Sequence, residues 1–357
     1  MHQHIAELAG RVLSGRQLYR DDAARLARLE PEYLWDLLYW ANRIRLRFVG
    51  PKVSLCAIVA ARIGGCSEDC RFCAQSARYR TPLPVQRKPA DDQIVAAARQ
   101  AAADGAGSFG VVTSGRALSV SEMHQWLAPL LRRIASQVRI RLCASVGGLD
   151  RQSALLLREC GVRRINHNIE TSERHYPNVV TTHTFADRLA TLEAARQAGL
   201  SLCCGGIFGI GETWDDRIDM LLALRRINPD VVPVNFLNPI PGTPLENMPR
   251  LPPLECLKII AICRFLLPDR DIKVAGGREV CLRDLQSWMF FAGASSTMIG
   301  NYLTTAGRPP EQDRQMLADL GLEWMDTPAG ECALPAVGGA PEDPAPPASY
   351  GTAARTD

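Results

Sequence analysis

The sequence predicts an α/β protein: a (β/α)8 barrel of the TIM type, preceded by a helical extension and followed by a disordered tail. Three observations carry this. Short apolar runs alternate with amphipathic segments across the middle of the chain, the rhythm of a parallel sheet whose strands are joined by helices. The chain has 357 residues, and a barrel of this type takes roughly 250. Both flanks lack the rhythm, one being helical in composition and the other rich in Pro, Ala and Gly.

Residues 1–50 form the extension. Ala23, Leu26, Ala27 and Leu29, then Leu34, Leu37, Leu38, Trp40, Ala41 and Ile44, recur at helical spacing. Asp21-Asp22 and Glu30-Pro31-Glu32 read as helix starts, so two or three helices are expected, packed on one end of the main domain. The barrel is expected over 51–322. Its strands are Val53–Val59, Ser108–Thr113, Arg139–Val146, Arg164–Ile169, Ser201–Phe208, Val231–Leu237, Ile272–Ala275 and Ser296–Ile299. Its helices are Asp91–Asp104, Val120–Ser136, Arg151–Cys160, Phe185–Ala198, Trp214–Ile227 and Pro253–Leu267. Residues 323–357 carry Pro328, Pro335, Pro341, Pro344, Pro346 and Pro347 among small residues. That composition does not bury a core, so disorder is expected there, with Cys332 a bystander.

A net charge of +3 with 22% charged residues argues against a dedicated nucleic-acid binder. No apolar run approaches the ~18 residues of a membrane span. Met1-His2-Gln3-His4 leads into helical composition with no secretory apolar stretch. The 12 cysteines are therefore expected to be reduced or to hold metal, in the cytoplasm.

Chemistry is concentrated in Cys66-Ser67-Glu68-Asp69-Cys70-Arg71-Phe72-Cys73. Three thiolates so close can each ligate one iron of a 4Fe-4S cluster and leave the fourth iron open to a small-molecule chelator. A closed electron-transfer cluster normally takes four cysteines, and structural zinc takes four protein ligands. No fourth Cys or His lies nearby. A zinc or closed-cluster site completed from a distance is the competing reading. The loop follows the first strand, which places it on the catalytic face of the barrel.

The chain resembles the biotin synthases, a family of the radical S-adenosylmethionine superfamily. The resemblance runs through the thiol loop and on through Ala74-Gln75-Ser76, Asn166-His167-Asn168-Ile169-Glu170-Thr171-Ser172 and Thr181-Thr182-His183-Thr184 to Arg188. It continues in Gly205–Glu212, Asn235–Pro239, Gly242-Thr243-Pro244-Leu245 and Gly276-Gly277-Arg278-Glu279. It implies that S-adenosylmethionine chelates the open iron and is cleaved to a 5′-deoxyadenosyl radical, which removes hydrogen from dethiobiotin. Phe72 is implied against the adenine, Asn168 and Glu170 at the ribose, and Arg188 at the carboxylate of S-adenosylmethionine. Asn166 and Asn235 are implied at dethiobiotin. His167, between two such contacts, should face the other way by strand alternation. A reduced flavodoxin or ferredoxin donor and a homodimer are also implied.

The family further implies an auxiliary iron–sulfur cluster inside the barrel, 2Fe-2S or larger, whose sulfide becomes the inserted sulfur. Cys143 matches its third-strand ligand, Cys203 its fifth-strand ligand and Arg278 its seventh-strand arginine. Gly110 stands where the second-strand cysteine belongs. Barrel interiors fill in layers drawn from alternate strands, so Cys56 on strand one is the expected substitute. Cys204, next to Cys203, should face outward, and Cys281 is a weaker substitute. Asn301-Tyr302-Leu303-Thr304-Thr305 resembles a second type of the family found in anaerobes. Two other readings remain open: a related radical enzyme that inserts no sulfur, and a non-catalytic iron–sulfur carrier.

Overall fold

The computed structural model describes residues 2–83 and 87–325. Parallel strands β1 Ser54–Arg62, β2 Ser108–Thr113, β3 Arg141–Ser145, β4 Arg164–Asn166, β5 Ser201–Cys203, β6 Gly206–Phe208, β7 Val231–Phe236, β8 Asp271–Val274 and β9 Ser296–Met298 form one sheet. Its order is β5-β4-β3-β2-β1-β9-β8-β7-β6, and a β5–β7 pairing closes it. Cys203 pairs with Val231 and Gly206 with Val234. Both β5 and β6 thus lie along β7 and are successive pieces of one stave. The barrel has eight staves, and each stave matches one predicted apolar run.

Helices α1 Gln3–Leu13, α2 Arg20–Ala27 and α3 Leu34–Phe48 make the extension. They pack on the side of the barrel layer, not across one end. α3 lies along the barrel helix Pro253–Leu266 and α2 along the barrel helix Trp214–Ile227. Backbone carbonyls of Leu18 and Leu29 accept bonds from Arg225 and Lys258 at 2.7 and 2.9 Å. Of the remaining barrel helices, Asp91–Ala103, Arg151–Glu159 and Phe185–Gln197 agree with the sequence pattern to within a residue at each end. Thr184 with Asp187 and Thr213 with Asp216 are reciprocal caps, which is why those starts are sharp. The segment expected as one helix from Val120 contains a π-turn at Met123–Leu127. Pro129 follows it, and its missing N–H removes the regular bond at that point.

Three later helices lacked a clear pattern: Arg278–Leu282, Trp288–Phe291 and Pro310–Asp319. The body also extends past residue 322. Val53 donates to Glu323 O at 2.8 Å, and Met325 donates to Val53 O at 2.9 Å. The rest of the expected tail, with Cys332, lies outside the described residues.

The break in the fifth stave is made by glycine. A Cβ on Gly205 would lie 1.9 Å from the Pro233 carbonyl oxygen. Gly205→Ala should therefore cost about 3 kcal/mol or more of stability, read as a lower denaturant midpoint. A midpoint within error of the parent would show that the staves can separate there without cost.

Candidate active site

Cys66, Cys70 and Cys73 lie on the loop that leaves β1 at the C-terminal face. Paired bonds fold the loop back on itself: Cys66 N to Gln75 O at 3.0 Å and Ala77 N to Cys66 O at 2.7 Å. Asp69 anchors it to the segment before Phe185. Its carboxylate accepts from Thr181 N at 2.9 Å, from Thr182 N at 3.2 Å and from both threonine hydroxyls. Burial opposes its charge, yet these bonds hold it down at about 2. Glu68 accepts from His183 Nδ1 at 2.7 Å. Burial drives the Cys70 thiol upward and Cys73 to about 11; the Cys73 charge further raises Cys70, and the Cys66 charge raises Cys73. Such thiols ionise when a metal takes the proton's place.

A cavity of about 370 Å³ opens beside the loop, within the range of small-molecule sites. Phe72, Cys73, Asn166, Asn168, Glu170, Asn235 and Tyr302 line it. Glu170 has φ = 66°, a conformation that non-glycine residues hold mainly where function requires it. Its carboxyl is buried and for that reason raised above the ordinary range. One carboxyl oxygen of Glu170 and the amide oxygen of Asn166 are buried with no hydrogen-bond partner. Arg188 stands behind Glu170 at 3.9 Å and donates to the Tyr176 hydroxyl at 3.0 Å. The Asn168 amide oxygen accepts from Gly205 N at 3.1 Å. Asn235 spends both ends of its amide on backbone: it donates to Gly206 O at 3.0 Å and accepts from Gly276 N at 2.9 Å. His167 is buried, and burial with the Arg188 charge pushes it well below its ordinary value.

Below this cavity lies a layer of thiols. Cys56 comes from the first stave, Cys143 from the third and Cys203 from the fifth. The fourth member is Lys273, from the seventh. Its ammonium donates to Cys203 Sγ at 3.5 Å and to Cys56 Sγ at 3.6 Å. Burial opposes the lysine charge, but the three thiols outweigh it and push Lys273 above its ordinary value. Burial raises Cys143 to about 11, while Lys273 and Arg164 pull the other way.

Arg278 is not in this layer, contrary to the sequence expectation. It sits past the end of its strand, at the start of Arg278–Leu282. Its guanidinium is held by Asp313 at 2.9 Å, Thr297 at 3.0 Å and Glu279 at 3.2 Å, which ties that turn to the C-terminal helix. Cys281 is excluded as well: its thiol lies against Leu237 O at 3.5 Å and the Cys256 thiol. Cys204 is buried among apolar side chains, as strand alternation requires. A Cβ at Gly110 would come within 3.1 Å of the Ile58 side chain, so Ile58 fills the room that a second-strand cysteine needs. Lys273 was missed, although its signal was present. It is a lysine in the short run Ile272-Lys273-Val274, with lumen parity, on an odd-numbered stave.

Residues 62–224 match the radical S-adenosylmethionine superfamily model, and residues 233–323 match the biotin and thiamin synthesis associated domain. The chain is 52% identical to a biotin synthase from Geobacter sulfurreducens over 322 residues, 90% of this chain and 98% of that one. The chain belongs to the biotin synthase family. A Heliobacterium modesticaldum biotin synthase is 47% identical over the same shares. Among solved structures, methylornithine synthase superposes with a TM-score of 0.79 at 22% identity, covering 89% of this chain and 97% of that one. That likeness concerns the fold alone.

Family membership implies a 4Fe-4S cluster, S-adenosylmethionine and an auxiliary cluster, and the residues fit them. One set of three thiols lies on the loop after β1 and the other on three staves, and Glu170 and Asn166, each with an orphaned oxygen, line the cavity. Among the described residues no three Cys, His, Asp or Glu side chains converge tightly enough for a single ion.

Proposed function

We propose that the thiol loop and the thiol layer serve one reaction, the insertion of sulfur into dethiobiotin to give biotin. One observation carries the reading: a single cavity is bounded by Cys73 and Phe72 at its mouth and by Lys273 at its floor. A substrate held there is within reach of both metal sites. When bound, the 4Fe-4S cluster supplies the electron that cleaves S-adenosylmethionine, and the auxiliary cluster supplies sulfide.

The chain's own residues bind, orient and shield. Phe72 offers an aromatic face to the adenine. Glu170 and Asn168 take the ribose hydroxyls, which satisfies the orphaned Glu170 oxygen. Arg188 offers a guanidinium to the carboxylate of S-adenosylmethionine. Asn166 and Asn235 face the dethiobiotin space, Asn235 chiefly by holding the wall formed by Gly206 and Gly276. Ile58, Ala275 and Met298 form an apolar collar above the thiols that keeps water from a radical intermediate. A reduced flavodoxin or ferredoxin supplies the electron. Exposed Trp35, Tyr39, Trp288 and Phe291 form an apolar surface suited to a second copy of the chain.

The test is anaerobic reconstitution, with iron and sulfide counted per chain, followed by assay with S-adenosylmethionine, a reductant and dethiobiotin. Biotin formation with more than four irons per chain is the expected result. Cleavage of S-adenosylmethionine with only four irons and no biotin would replace the reading with a radical enzyme that inserts no sulfur.

A further inference from the structure

A second cavity, of about 80 Å³, lies at the opposite end of the barrel from the thiol loop. It is lined by first residues of strands, among them Ser108, Arg141, Arg164 and Asp271, and by Met325 near the end of the described chain. Its inner wall is Cys56 and Lys273. Lys273 also lines the large cavity above, so the thiol layer is a floor shared by two chambers. Barrel enzymes work from the C-terminal face, and the chemistry described above has no use for the lower chamber.

Size and charge say what it takes. A water needs about 10–15 Å³ of such space, so the chamber holds a few small molecules. Drug-sized ligands need roughly 300 Å³ or more. Three cations, Arg141, Arg164 and Lys273, face one carboxylate, Asp271, which already accepts from the Ser295 hydroxyl at 2.7 Å. Arg164 donates to Ser201 Oγ at 3.2 Å and is attracted to the Cys143, Cys203 and Cys56 sulfurs. With three cations to one carboxylate, the lining favours a small anion over a ferrous ion.

We infer that the lower chamber is an entry route for hydrosulfide, by which the sulfur lost to each product is replaced without passing through the substrate cavity. The inference rests on the sulfur-insertion reading, since only a site that gives up sulfide needs refilling. Delivery needs no oxidant or reductant, because hydrosulfide carries sulfur at the sulfide level. An auxiliary cluster held by Cys56, Cys143 and Cys203 would take the sulfur as sulfide on its iron, and the S–H proton would leave to water with no change of oxidation state at sulfur.

The experiment is a single anaerobic turnover of the holoenzyme, incubation with ferrous ion, gel filtration, and only then addition of hydrosulfide. The rate at which acid-labile sulfide and auxiliary-cluster absorption return is then measured. Arg141→Glu and Ser108→Phe should slow this return by at least about tenfold, the low end of electrostatic steering effects, while the biotin yield of the first turnover stays at the parent level. Saturating S-adenosylmethionine and dethiobiotin, which fill the upper cavity, should not slow it in the parent chain. Parent-rate refilling in both variants, or refilling blocked by the upper ligands, would overturn the route. The ligand-block measurement decides the matter if neither variant folds. No biotin in the first turnover of the parent would instead overturn the reading beneath it.

Discussion

Replacing Cys56 by alanine is expected to strip the auxiliary iron and to reduce biotin formation at least about 100-fold, beyond the usual effect of losing an outer-shell partner. Deoxyadenosine formation from S-adenosylmethionine should continue near the parent rate, because Cys66, Cys70 and Cys73 are untouched. The argument is positional. Cys56 Sγ lies 3.6 Å from the same ammonium that Cys203 Sγ approaches to 3.5 Å. Cys56 and Cys203 also influence the ionisation of Cys143. Cys143→Ala and Cys203→Ala should behave in the same way. Cys204→Ala, just past the end of β5, and Cys281→Ala should retain full auxiliary iron, since neither thiol faces the lumen. Iron counts with Mössbauer spectra decide it, and auxiliary iron unchanged in Cys56→Ala would remove that residue from the ligand set.

The barrel was legible because each stave is buried on both faces and so reads as an unbroken apolar run, such as Phe109-Gly110-Val111-Val112 or Val231-Val232-Pro233-Val234. Helix starts were legible where a capping residue announces them, as at Thr184 and Thr213. The late elements were not. Arg278–Leu282 and Trp288–Phe291 have only 5 and 4 residues, too short for a periodic signal. The packing of the N-terminal helices against Trp214–Ile227 and Pro253–Leu266 was also hidden, because amphipathicity shows that a face is buried but not what buries it.

The candidate site divides along the same line. The thiol loop is local, so its spacing alone gives its chemistry. The thiol layer is assembled from four staves, and only parity along each strand reveals it. The family resemblance supplies Cys143 and Cys203, and the alternate-strand layering of a barrel interior supplies Cys56. The resemblance also supplies Arg278 as the seventh-strand member, although it sits 4 residues beyond Val274, the strand's last residue. Counting by twos from Ala275, which lines the lumen, reaches Lys273 directly.

The second large effect follows from that lysine. Lys273→Met should weaken retention of auxiliary iron by about 10–100-fold, as other changes of partners around metal ligands do, while iron at the Cys66 loop is retained as in the parent. Burial raises the Cys143 and Cys203 thiols, and Lys273 is among the charges that pull them down. Without the ammonium, each thiolate must form in an apolar lumen with less compensation, so iron competes less well with protons. The metal-free chain should respond in the opposite direction. Methionine keeps the length of the side chain and removes a buried charge, a change that is often neutral or stabilising. A denaturant midpoint that holds or rises in the metal-free protein, together with faster loss of auxiliary iron to a chelator, separates a role at the cluster from a role in folding. Lys273→Arg, which keeps the charge, should retain most of the iron. Parent-like iron retention in Lys273→Met would show that the three thiols hold the auxiliary cluster without help from the fourth member of their layer.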